Sequence, residues 1–521
     1  MTNIPQLFEP YKVEAYSDFS KAENINAYKA ALEQVRSQLG RDYPLILGGE
    51  KIETGEWLQS VNPSNLDVVV GRTAMGKRKE IEKAFNTAYK AYEDWSRLPM
   101  EHRAHALVKL AAVMRRRKWE LCAWLTFESS KNFAEAEAEV AEAIDFAEYY
   151  ARQALPLGEI IPAAAQYPGE ENTSFLIPMG VGVVISPWNF PFAILAGMAI
   201  APAVVGNCVI VKPSPDTPII AQKFMECVEE AGFPAGVINL LTGADADLGD
   251  ALVDHSRTRF INFTGSLNTG MRINERAAKI QPGQNFLKRV YVEMGGKDAL
   301  IVDETADLDY ASSVAVASGF GFQGQKCSAM SRLIVIDKVY DEVLKKFTEK
   351  TSQLSLGMAE ENKNVNAVIN QKAVDKINHY INIGKIEAKL ELGGERAEGN
   401  GYFIEPTVFS DVMQSATIAC EEIFGPVVAV QKAKDFDHAL QLANSTVYGL
   451  TGGVISKDRA RLEKARREFA VGNLYLNRKI TGALVGIQPF GGFKLSGSNA
   501  KAGGPDYLRL FMEMKTVSER F

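Results

Sequence analysis

Residues that build metal centres or disulfide frameworks are scarce in this sequence. It has 5 cysteines and 5 histidines among 521 residues, and no two cysteines form a CxxC pair. Scattered cysteines in an odd number predict neither a disulfide framework nor a zinc site. We therefore expect no metal, and a reducing compartment such as the cytoplasm.

An excess of one charge and an unbroken hydrophobic span are also missing. The 58 Lys and Arg residues and the 64 Asp and Glu residues give a net charge of −6, which argues against nucleic acid as a partner. The chain does not start with a basic segment followed by an apolar run, so it does not resemble a signal peptide. Residues 172–211 carry no charge, but prolines interrupt them. We expect a buried strand–loop–helix–strand unit there and no membrane span.

The sequence does contain a regular alternation of apolar runs and helix-like segments. In the middle third the apolar runs are 181–186, 208–212, 237–241, 259–263 and 290–294, and the helix-like segments are 192–205, 217–231, 247–254 and 268–278. This alternation predicts an α/β fold with a parallel sheet covered by helices on both faces. Residues 77–154 indicate helices, a second α/β set begins near residue 299, and 155–174 indicates a hairpin or an arm.

Cys327 is the first candidate for chemistry. A free cysteine is most often a small buried hydrophobe, and we interpret the remaining cysteines in that way. Around Cys327, small and polar neighbours and the cation of Lys326 suggest a loop or a helix start. A helix N-terminus and a nearby cation both lower the pKa of a thiol, so we predict a thiolate nucleophile.

Further candidates stand at the ends of predicted strands. Glu293 is either an exposed or ion-paired carboxylate or, if burial raises its pKa toward neutrality, a general base. Asn189 is either a turn residue or a hydrogen-bond donor to an oxyanion. Lys212 is either solvated or close to a cofactor. The loop from Gly265 to Gly270 opens a helix whose amides could hold a pyrophosphate, although its spacing is not GxGxxG.

Taken together, motifs along the chain resemble those of the aldehyde dehydrogenase superfamily. They are SPWNFP at 186–191, VKPS at 211–214, FTGS at 263–266 with Gly270, EMGGK at 293–297, GQKCSA at 324–329, EEIFGP at 421–426 and PFGGFKLSG at 489–497. They occur in the family's order, and the resemblance runs from about residue 45 to residue 516. It implies an NAD(P)-dependent enzyme with two parallel-sheet α/β domains.

The resemblance also implies a division of the chain. Residues 1–154 and 175–294 would form the NAD(P)-binding domain, and residues 295–500 the catalytic domain. Residues 155–174 and 501–521 would form an oligomerisation arm, a hairpin and a tail, which implies a homodimer or a higher homo-oligomer.

Roles for single residues follow from the same resemblance. Cys327 is expected to be the nucleophile, Glu293 the base for hydrolysis and Asn189 the oxyanion donor. The residues expected at the cofactor are Ser186, Pro187, Trp188, Lys212, Ser214, Gly243, Gly265, Ser266, Glu293, Gly295, Glu422 and Phe424. NAD is the expected cofactor, but NADP stays open because Pro215 stands where many NAD-preferring relatives carry an acid.

Within the superfamily, three segments resemble the branch that oxidises L-glutamate γ-semialdehyde, which forms from 1-pyrroline-5-carboxylate in proline catabolism. They are FGFQGQKCSAMSR at 320–332, NRKITGALVGIQPFGGFKLSG at 477–497 and YLRLFMEMKTV at 507–517. The segment before about residue 45 also resembles that branch. The residues expected at the substrate are Glu142, Phe190, Ser328, Gly482, Ala483 and Phe490. In the alternative, the two phenylalanines are plain core and Glu142 is an exposed helical carboxylate.

Other functions remain open from the sequence alone. The chain could be another hydrolytic aldehyde dehydrogenase, of the succinic or amino-aldehyde type. It could also be a non-catalytic protein on the same scaffold, which the presence of Cys327, Asn189 and Glu293 disfavours. A CoA-acylating enzyme is disfavoured by Glu293, because that carboxylate serves hydrolysis.

Overall fold

The computed structural model describes residues 7–165 and 167–521. The helices are α1 (Ala22–Arg36), α2 (Arg78–Trp95), α3 (Met100–Arg116), α4 (Lys118–Ser129), α5 (Phe133–Ala154), α6 (Ala193–Val204), α7 (Pro218–Glu230), α8 (Asp245–Asp254), α9 (Leu267–Ala277), α10 (Leu308–Phe320), α11 (Tyr340–Ser352), α12 (Gln371–Glu387), α13 (Thr417–Cys420), α14 (Phe436–Asn444) and α15 (Arg459–Glu468). Short 3₁₀ helices span Leu155–Gly158, Gly321–Gly324, Asp337–Val339, Ala359–Glu361 and Tyr507–Phe511.

Strands alternate with these helices along most of the chain. They are β1 (Arg41–Tyr43), β2 (Leu45–Leu47), β3 (Glu50–Ile52), β4 (Trp57–Asn62), β5 (Asn65–Ala74), β6 (Ile161–Pro162), β7 (Glu170–Pro178), β8 (Val181–Ile185), β9 (Cys208–Lys212), β10 (Ile238–Leu240), β11 (Phe260–Thr264), β12 (Arg289–Glu293), β13 (Asp298–Val302), β14 (Met330–Ile336), β15 (Lys389–Leu392), β16 (Thr407–Ser410), β17 (Val427–Ala433), β18 (Tyr448–Gly449), β19 (Thr451–Ile455), β20 (Asn473–Leu476), β21 (Phe493–Lys494) and β22 (Met512–Arg520).

The first large sheet has the strand order β12-β11-β8-β9-β10-β2-β3. The strands from β8 to β12 are parallel and correspond to the apolar runs predicted from the sequence. The inner strands β8 and β9 are buried along nearly their whole length, as expected for a sheet covered on both faces, whereas the edge strand β12 begins with the exposed Arg289. The edge strands β2 and β3 are antiparallel and were not predicted, because three-residue strands are too short to show a periodicity.

The second large sheet has the order β15-β16-β17-β14-β13-β19-β20 and is parallel except for the edge strand β15. Helices α10 and α11 pack on it, and α14 packs against β13, β14 and β17. The two sheets are connected by a short link, because β12 ends at Glu293 and β13 begins at Asp298. The predicted α/β class with two mostly parallel sheets is confirmed, and the site develops around this link.

The predicted arm forms a small antiparallel sheet in the order β22-β7-β6. Strands β7 and β22 pair along nine residues each, from Glu170 opposite Arg520 to Pro178 opposite Met512. The hairpin therefore continues past the predicted end at residue 174. Side chains on it remain exposed, including Ile160 at 65% and Met514 at 59% of their full exposure.

The long uncharged stretch forms β8, α6 and β9, as the strand–loop–helix–strand prediction requires. Pro202 lies inside α6, and this helix is buried along nearly its whole length. Among residues 7–165 and 167–521, no helix is both long enough and apolar enough to cross a membrane.

Candidate active site

Two cavities meet at Cys327. The first has a volume of about 780 Å³ and the second about 530 Å³. Thr264, Met294 and Cys327 border both. The first cavity lies at the carboxyl ends of β8, β9 and β11, where the strand order reverses and where α/β sheets bind ligands. A molecule bound covalently to the Cys327 sulfur could therefore extend into one cavity and contact a ligand in the other.

The Cys327 thiol lies in a turn between the 3₁₀ helix Gly321–Gly324 and β14, and it is half-buried. Burial raises its pKa, and the nearby carboxylates of Asp298, Glu422 and Glu293 raise it further. The predicted lowering of this pKa was wrong. No helix begins at Cys327, and the Lys326 ammonium pairs with the Glu135 carboxylate at 2.7 Å.

Glu293 ends β12 and borders the second cavity. Burial raises the pKa of this carboxyl to about 8, as the sequence predicted, although the hydrogen bond from the Gly492 amide (3.2 Å) opposes the shift. Within the described residues its Oε1 atom is buried and has no hydrogen-bond partner. A buried carboxyl with a free oxygen and a pKa near neutrality is suited to accept a proton.

The Asn189 side chain follows β8 and is buried beside the first cavity. Its Nδ2 donates one hydrogen bond to the Gln325 carbonyl at 3.2 Å. A primary amide has two N–H groups, so a second one is left for a ligand. The Asn189 backbone carbonyl accepts a hydrogen bond at 2.5 Å from Lys131, a fully buried lysine that the sequence did not single out.

The link between the two sheets passes through a very close approach at Gly295 and Gly296. A Cβ at Gly295 would overlap the Glu422 carboxylate, and one at Gly296 would lie 2.7 Å from the Cys327 carbonyl. Glu422 is held there because its Oε1 accepts a hydrogen bond from the Gly296 amide at 3.0 Å. Glycine is therefore required at both positions so that Glu422 and the Cys327 turn can pack together.

Most residues expected at the cofactor border the first cavity. They are Ser186, Pro187, Trp188, Lys212, Ser214, Gly265, Ser266, Gly295, Glu422 and Phe424. The structure places Gly243 and Glu293 outside it. Gly243 is buried below α8, where an added Cβ would lie 2.8 Å from Leu248.

The first cavity has the features that a dinucleotide requires. The N-terminus of α9 opens on it, and Ser266 is the N-cap residue of that helix. Free amides at a helix start attract phosphate. Lys212 is the last residue of β9. Its ammonium pairs with Asp245 at the edge of the cavity and can donate a hydrogen bond to a ribose hydroxyl. Phe424 has a positive φ of 60° and packs edge-on against Trp188 at 5.4 Å.

All residues expected at the substrate border the second cavity: Glu142, Phe190, Ser328, Gly482, Ala483 and Phe490. Burial, together with the carboxylates of Glu139 and Asp145, raises the pKa of Glu142 to about 8. Among the described residues Glu142 has no hydrogen bond or ion pair, whereas its neighbour Glu137 pairs with Lys118. Glu142 is thus a cavity carboxylate and not a solvated helix residue.

Parts of the second cavity were missed. Tyr16, Ser17 and Phe19, from the segment before α1, form part of its wall. The Ser17 amide donates to Glu137 at 2.9 Å, which fixes this segment on α5. No short motif marks these residues, because an extended segment without periodicity gives no signal of what it covers. Arg478 also borders the cavity. It was not predicted from the sequence, although Gly482 and Ala483, a few residues further along the chain, were.

Comparison with known proteins gives matches over nearly the whole chain. The aldehyde dehydrogenase family profile matches residues 51–517. A 1-pyrroline-5-carboxylate dehydrogenase from Geobacillus thermodenitrificans (strain NG80-2) is 57% identical over 516 residues, which are 99% of this chain and 100% of that protein. The structure of 1-pyrroline-5-carboxylate dehydrogenase from Thermus with bound NAD is 55% identical and has a TM-score of 0.98, covering 99% of this chain and 100% of that one. Proline utilization A from Bdellovibrio bacteriovorus is 42% identical with a TM-score of 0.95, covering 98% of this chain and 54% of that one.

The chain belongs to the aldehyde dehydrogenase family. The superfamily resemblance inferred from the motifs is thereby confirmed. The family profile starts at residue 51, so the segment with Tyr16 and Phe19 lies outside the part that aldehyde dehydrogenases share.

The residue after Pro215, Asp216, bears on the choice between NAD and NADP, which the sequence left open. Asp216 borders the first cavity near Lys212 and Ser214. The Asn370 side-chain amide holds its carboxylate with a hydrogen bond of 2.8 Å. Burial raises the pKa of Asp216, and the hydrogen bond from Asn370 opposes that shift. Asp216 therefore offers a fixed acidic group near the predicted ribose site, in place of the acid missing at Pro215.

Replacing Asp216 with Asn is expected to favour NADP, because the 2′-phosphate no longer faces a carboxylate. We expect the ratio of kcat/KM with NADP to that with NAD to rise about tenfold. Steady-state NADH and NADPH formation measures this. Asp247→Asn is the matched control, since Asp247 lies on α8 but does not border the cavity. An unchanged ratio in Asp216→Asn would place the adenosine ribose away from this residue.

Proposed function

We propose that this chain oxidises L-glutamate γ-semialdehyde, the open form of 1-pyrroline-5-carboxylate, to L-glutamate with NAD, a reaction of proline catabolism. The observation that carries the proposal is the Cys327 thiol where a dinucleotide-sized cavity meets a second cavity bordered by Gly482 and Ala483. Relatives at 55–57% identity over 99% of the chain have the name 1-pyrroline-5-carboxylate dehydrogenase.

The first step is attack by Cys327 on the aldehyde carbon. The raised pKa means that the thiol is protonated at rest, so attack requires a proton acceptor. Solvent in the cavity can accept this proton, so the attack does not depend on Glu293, which borders the same cavity. The tetrahedral product has a negative oxygen, which the free N–H of Asn189 and the backbone amide of Cys327 stabilise.

The oxidation step needs the cofactor on the other side of the sulfur. When bound, the nicotinamide ring accepts the hydride that leaves the substrate carbon. Lys212 and Glu422, which border the first cavity, would hold ribose hydroxyls, and the α9 N-terminus with Ser266 would hold the pyrophosphate. The substrate remains bound to Cys327 as a thioester.

Hydrolysis of the thioester completes the reaction. Glu293 takes a proton from water and the hydroxide adds to the thioester carbon. The C–S bond then breaks, the carboxylic acid leaves, and the proton held by Glu293 passes to the sulfur as the Cys327 thiol re-forms. The Glu293 carboxylate favours water over CoA as the acyl acceptor, because it can activate a water molecule.

Recognition of the substrate's far end uses the second cavity. The amides of Gly482 and Ala483 with the Ser328 hydroxyl would bind the α-carboxylate, and Glu142 would face the α-ammonium. Phe190 and Phe490 would pack on the aliphatic chain. Both charged groups of the amino acid would thus find a partner in the cavity. A simple aldehyde has neither charged group.

We also propose the division into an NAD(P)-binding domain (1–154 and 175–294), a catalytic domain (295–500) and an arm (155–174 and 501–521), with the arm extended to residue 178 because β7 ends there. The boundary after residue 294 falls between the two large sheets. The arm presents exposed apolar side chains such as Ile160 and Met514, which favours contact with a second copy of the chain.

Replacing Glu293 with Ala is expected to separate acylation from hydrolysis. Stopped-flow should show a burst of one NADH per site and then turnover slowed about a hundredfold, because water loses its base. In the wild type, hydrolysis should rise as pH increases through about 8, since only the deprotonated carboxylate accepts a proton. An unchanged steady-state rate in Glu293→Ala would exclude this residue as the base.

The substrate is tested by comparing kcat/KM for 1-pyrroline-5-carboxylate, succinic semialdehyde and propanal. We expect 1-pyrroline-5-carboxylate to exceed propanal about a hundredfold or more, because propanal leaves the polar groups of the second cavity unpaired. Similar values for all three would indicate a different aldehyde dehydrogenase. No activity with NAD or NADP would indicate a non-catalytic protein on this scaffold.

A further inference from the structure

Arg478 holds the loop that carries Gly482 and Ala483. Its Nη2 donates to the carbonyls of Thr481 and Gly482, both at 3.2 Å, and its Nε donates to the Lys479 carbonyl at 3.2 Å. The guanidinium lies 4.8 Å from the centre of the Tyr475 ring, which fixes its plane. One side chain therefore determines where successive carbonyls of this loop point.

The direction of these carbonyls determines the direction of the amides that follow them. In a planar trans peptide the N–H of one residue points opposite to the carbonyl of the residue before it. Since the carbonyls of Thr481 and Gly482 face Arg478, the amides of Gly482 and Ala483 both point away from it. Gly482 has a φ of +74°, the left-handed conformation found in backbone nests that bind anions.

Both amides are free to bind a ligand. Among residues 7–165 and 167–521, neither the Gly482 amide nor the Ala483 amide donates a hydrogen bond to a protein acceptor. Both residues border the second cavity. Unpaired amides that point the same way, next to a cavity, form a ready site for a carboxylate.

We propose that Arg478 is a positioning residue for the substrate α-carboxylate, acting through the two carbonyls that it holds. The inference rests on the proposed function, because it assumes that the ligand of the nest is the carboxylate of glutamate γ-semialdehyde. Arg478 acts by geometry: its planar group donates several hydrogen bonds in a fixed fork, which the single ammonium of lysine does not reproduce.

Positive charge at this site has a second source, so charge and geometry can be separated. The Lys479 ammonium lies 3.7 Å from where a Cβ on Gly482 would stand. Replacing Arg478 with Lys therefore keeps both positive charges and removes only the fork that holds the carbonyls.

The test uses the variants Arg478→Lys and Arg478→Ala in the full chain, with Arg467→Lys as the matched control on an exposed arginine outside both cavities. We expect KM for 1-pyrroline-5-carboxylate to rise about tenfold in both Arg478 variants, since the hydrogen bonds that hold the Thr481 and Gly482 carbonyls are lost, while kcat falls less than about twofold. Oxidation of propanal, which has no carboxylate, should stay within about twofold and shows that the variant is folded. L-glutamate, the product, should inhibit propanal oxidation about ten times more weakly than in the wild type.

Distinct outcomes overturn the proposal. If Arg478→Lys behaves like the wild type and Arg478→Ala does not, the residue acts by charge and not by holding the carbonyls. If propanal oxidation falls as much as that of 1-pyrroline-5-carboxylate, its role is only structural. If the wild type itself shows no preference for 1-pyrroline-5-carboxylate and no inhibition by L-glutamate, the proposed function fails first and this inference fails with it.

Discussion

The active site depends on the close packing of backbone at Gly295 and Gly296. Here the link between the two large sheets touches the Cys327 turn on one side and the Glu422 carboxylate on the other. A side chain at either position would push apart Cys327, the predicted nucleophile, and Glu422, which is predicted to bind a ribose of the cofactor. Because this contact fixes the distance between the two sheets, side chains from both sheets lie around the Cys327 sulfur. The two cavities, and the order of ligands around Cys327, follow from it.

Buried charge near the site is divided into paired and unpaired groups. Lys131 lies 3.4 Å from Glu139, and Glu139 accepts hydrogen bonds from the Phe192 and Ala193 amides, so this pair supports the loop that carries Asn189. Lys326 is neutralised by Glu135 and does not activate the thiol. Glu293 and Glu142 have no cation at hydrogen-bond distance among the described residues, and burial raises the pKa of each to about 8. Burying an unpaired carboxylate is unfavourable, so such groups are expected where a ligand or a proton uses them.

The sequence predicted the central strands and helices well, because a buried parallel sheet requires continuous apolar runs and these were long enough to see. Strand β9 has the predicted bounds of 208–212. It could not predict β2 and β3, because three-residue strands show no periodicity and only β2 has a partner far along the chain, β10. In the site, Asn189 and Glu293 were predicted from strand ends and Cys327 from a loop or helix start. Cys327 borders both cavities, Asn189 the first and Glu293 the second. The thiol pKa was predicted in the wrong direction because sequence shows that Lys326 is adjacent but not that Glu135 pairs with it.

Residues that act through other residues were the hardest to predict. Lys131 acts on the site through the Asn189 carbonyl and Arg478 through a loop, and neither contact leaves a motif. Tyr16 and Phe19 belong to the segment before α1, which reaches the second cavity only because the fold brings it back over α5. Such contacts are set by tertiary structure, so spacing along the chain gives no indication of them.

The most direct measurement compares the wild type with Cys327→Ala in two assays on the same protein. Fluorescence titration with NADH reports on the first cavity, and NADH formation from 1-pyrroline-5-carboxylate reports on the chemistry. Because Cys327 borders the first cavity without holding the predicted ribose or phosphate sites, the account predicts nearly unchanged NADH affinity and no measurable oxidation. Turnover at the wild-type rate in Cys327→Ala would contradict the account, because within the described part of the chain no other thiol borders the place where the two cavities meet.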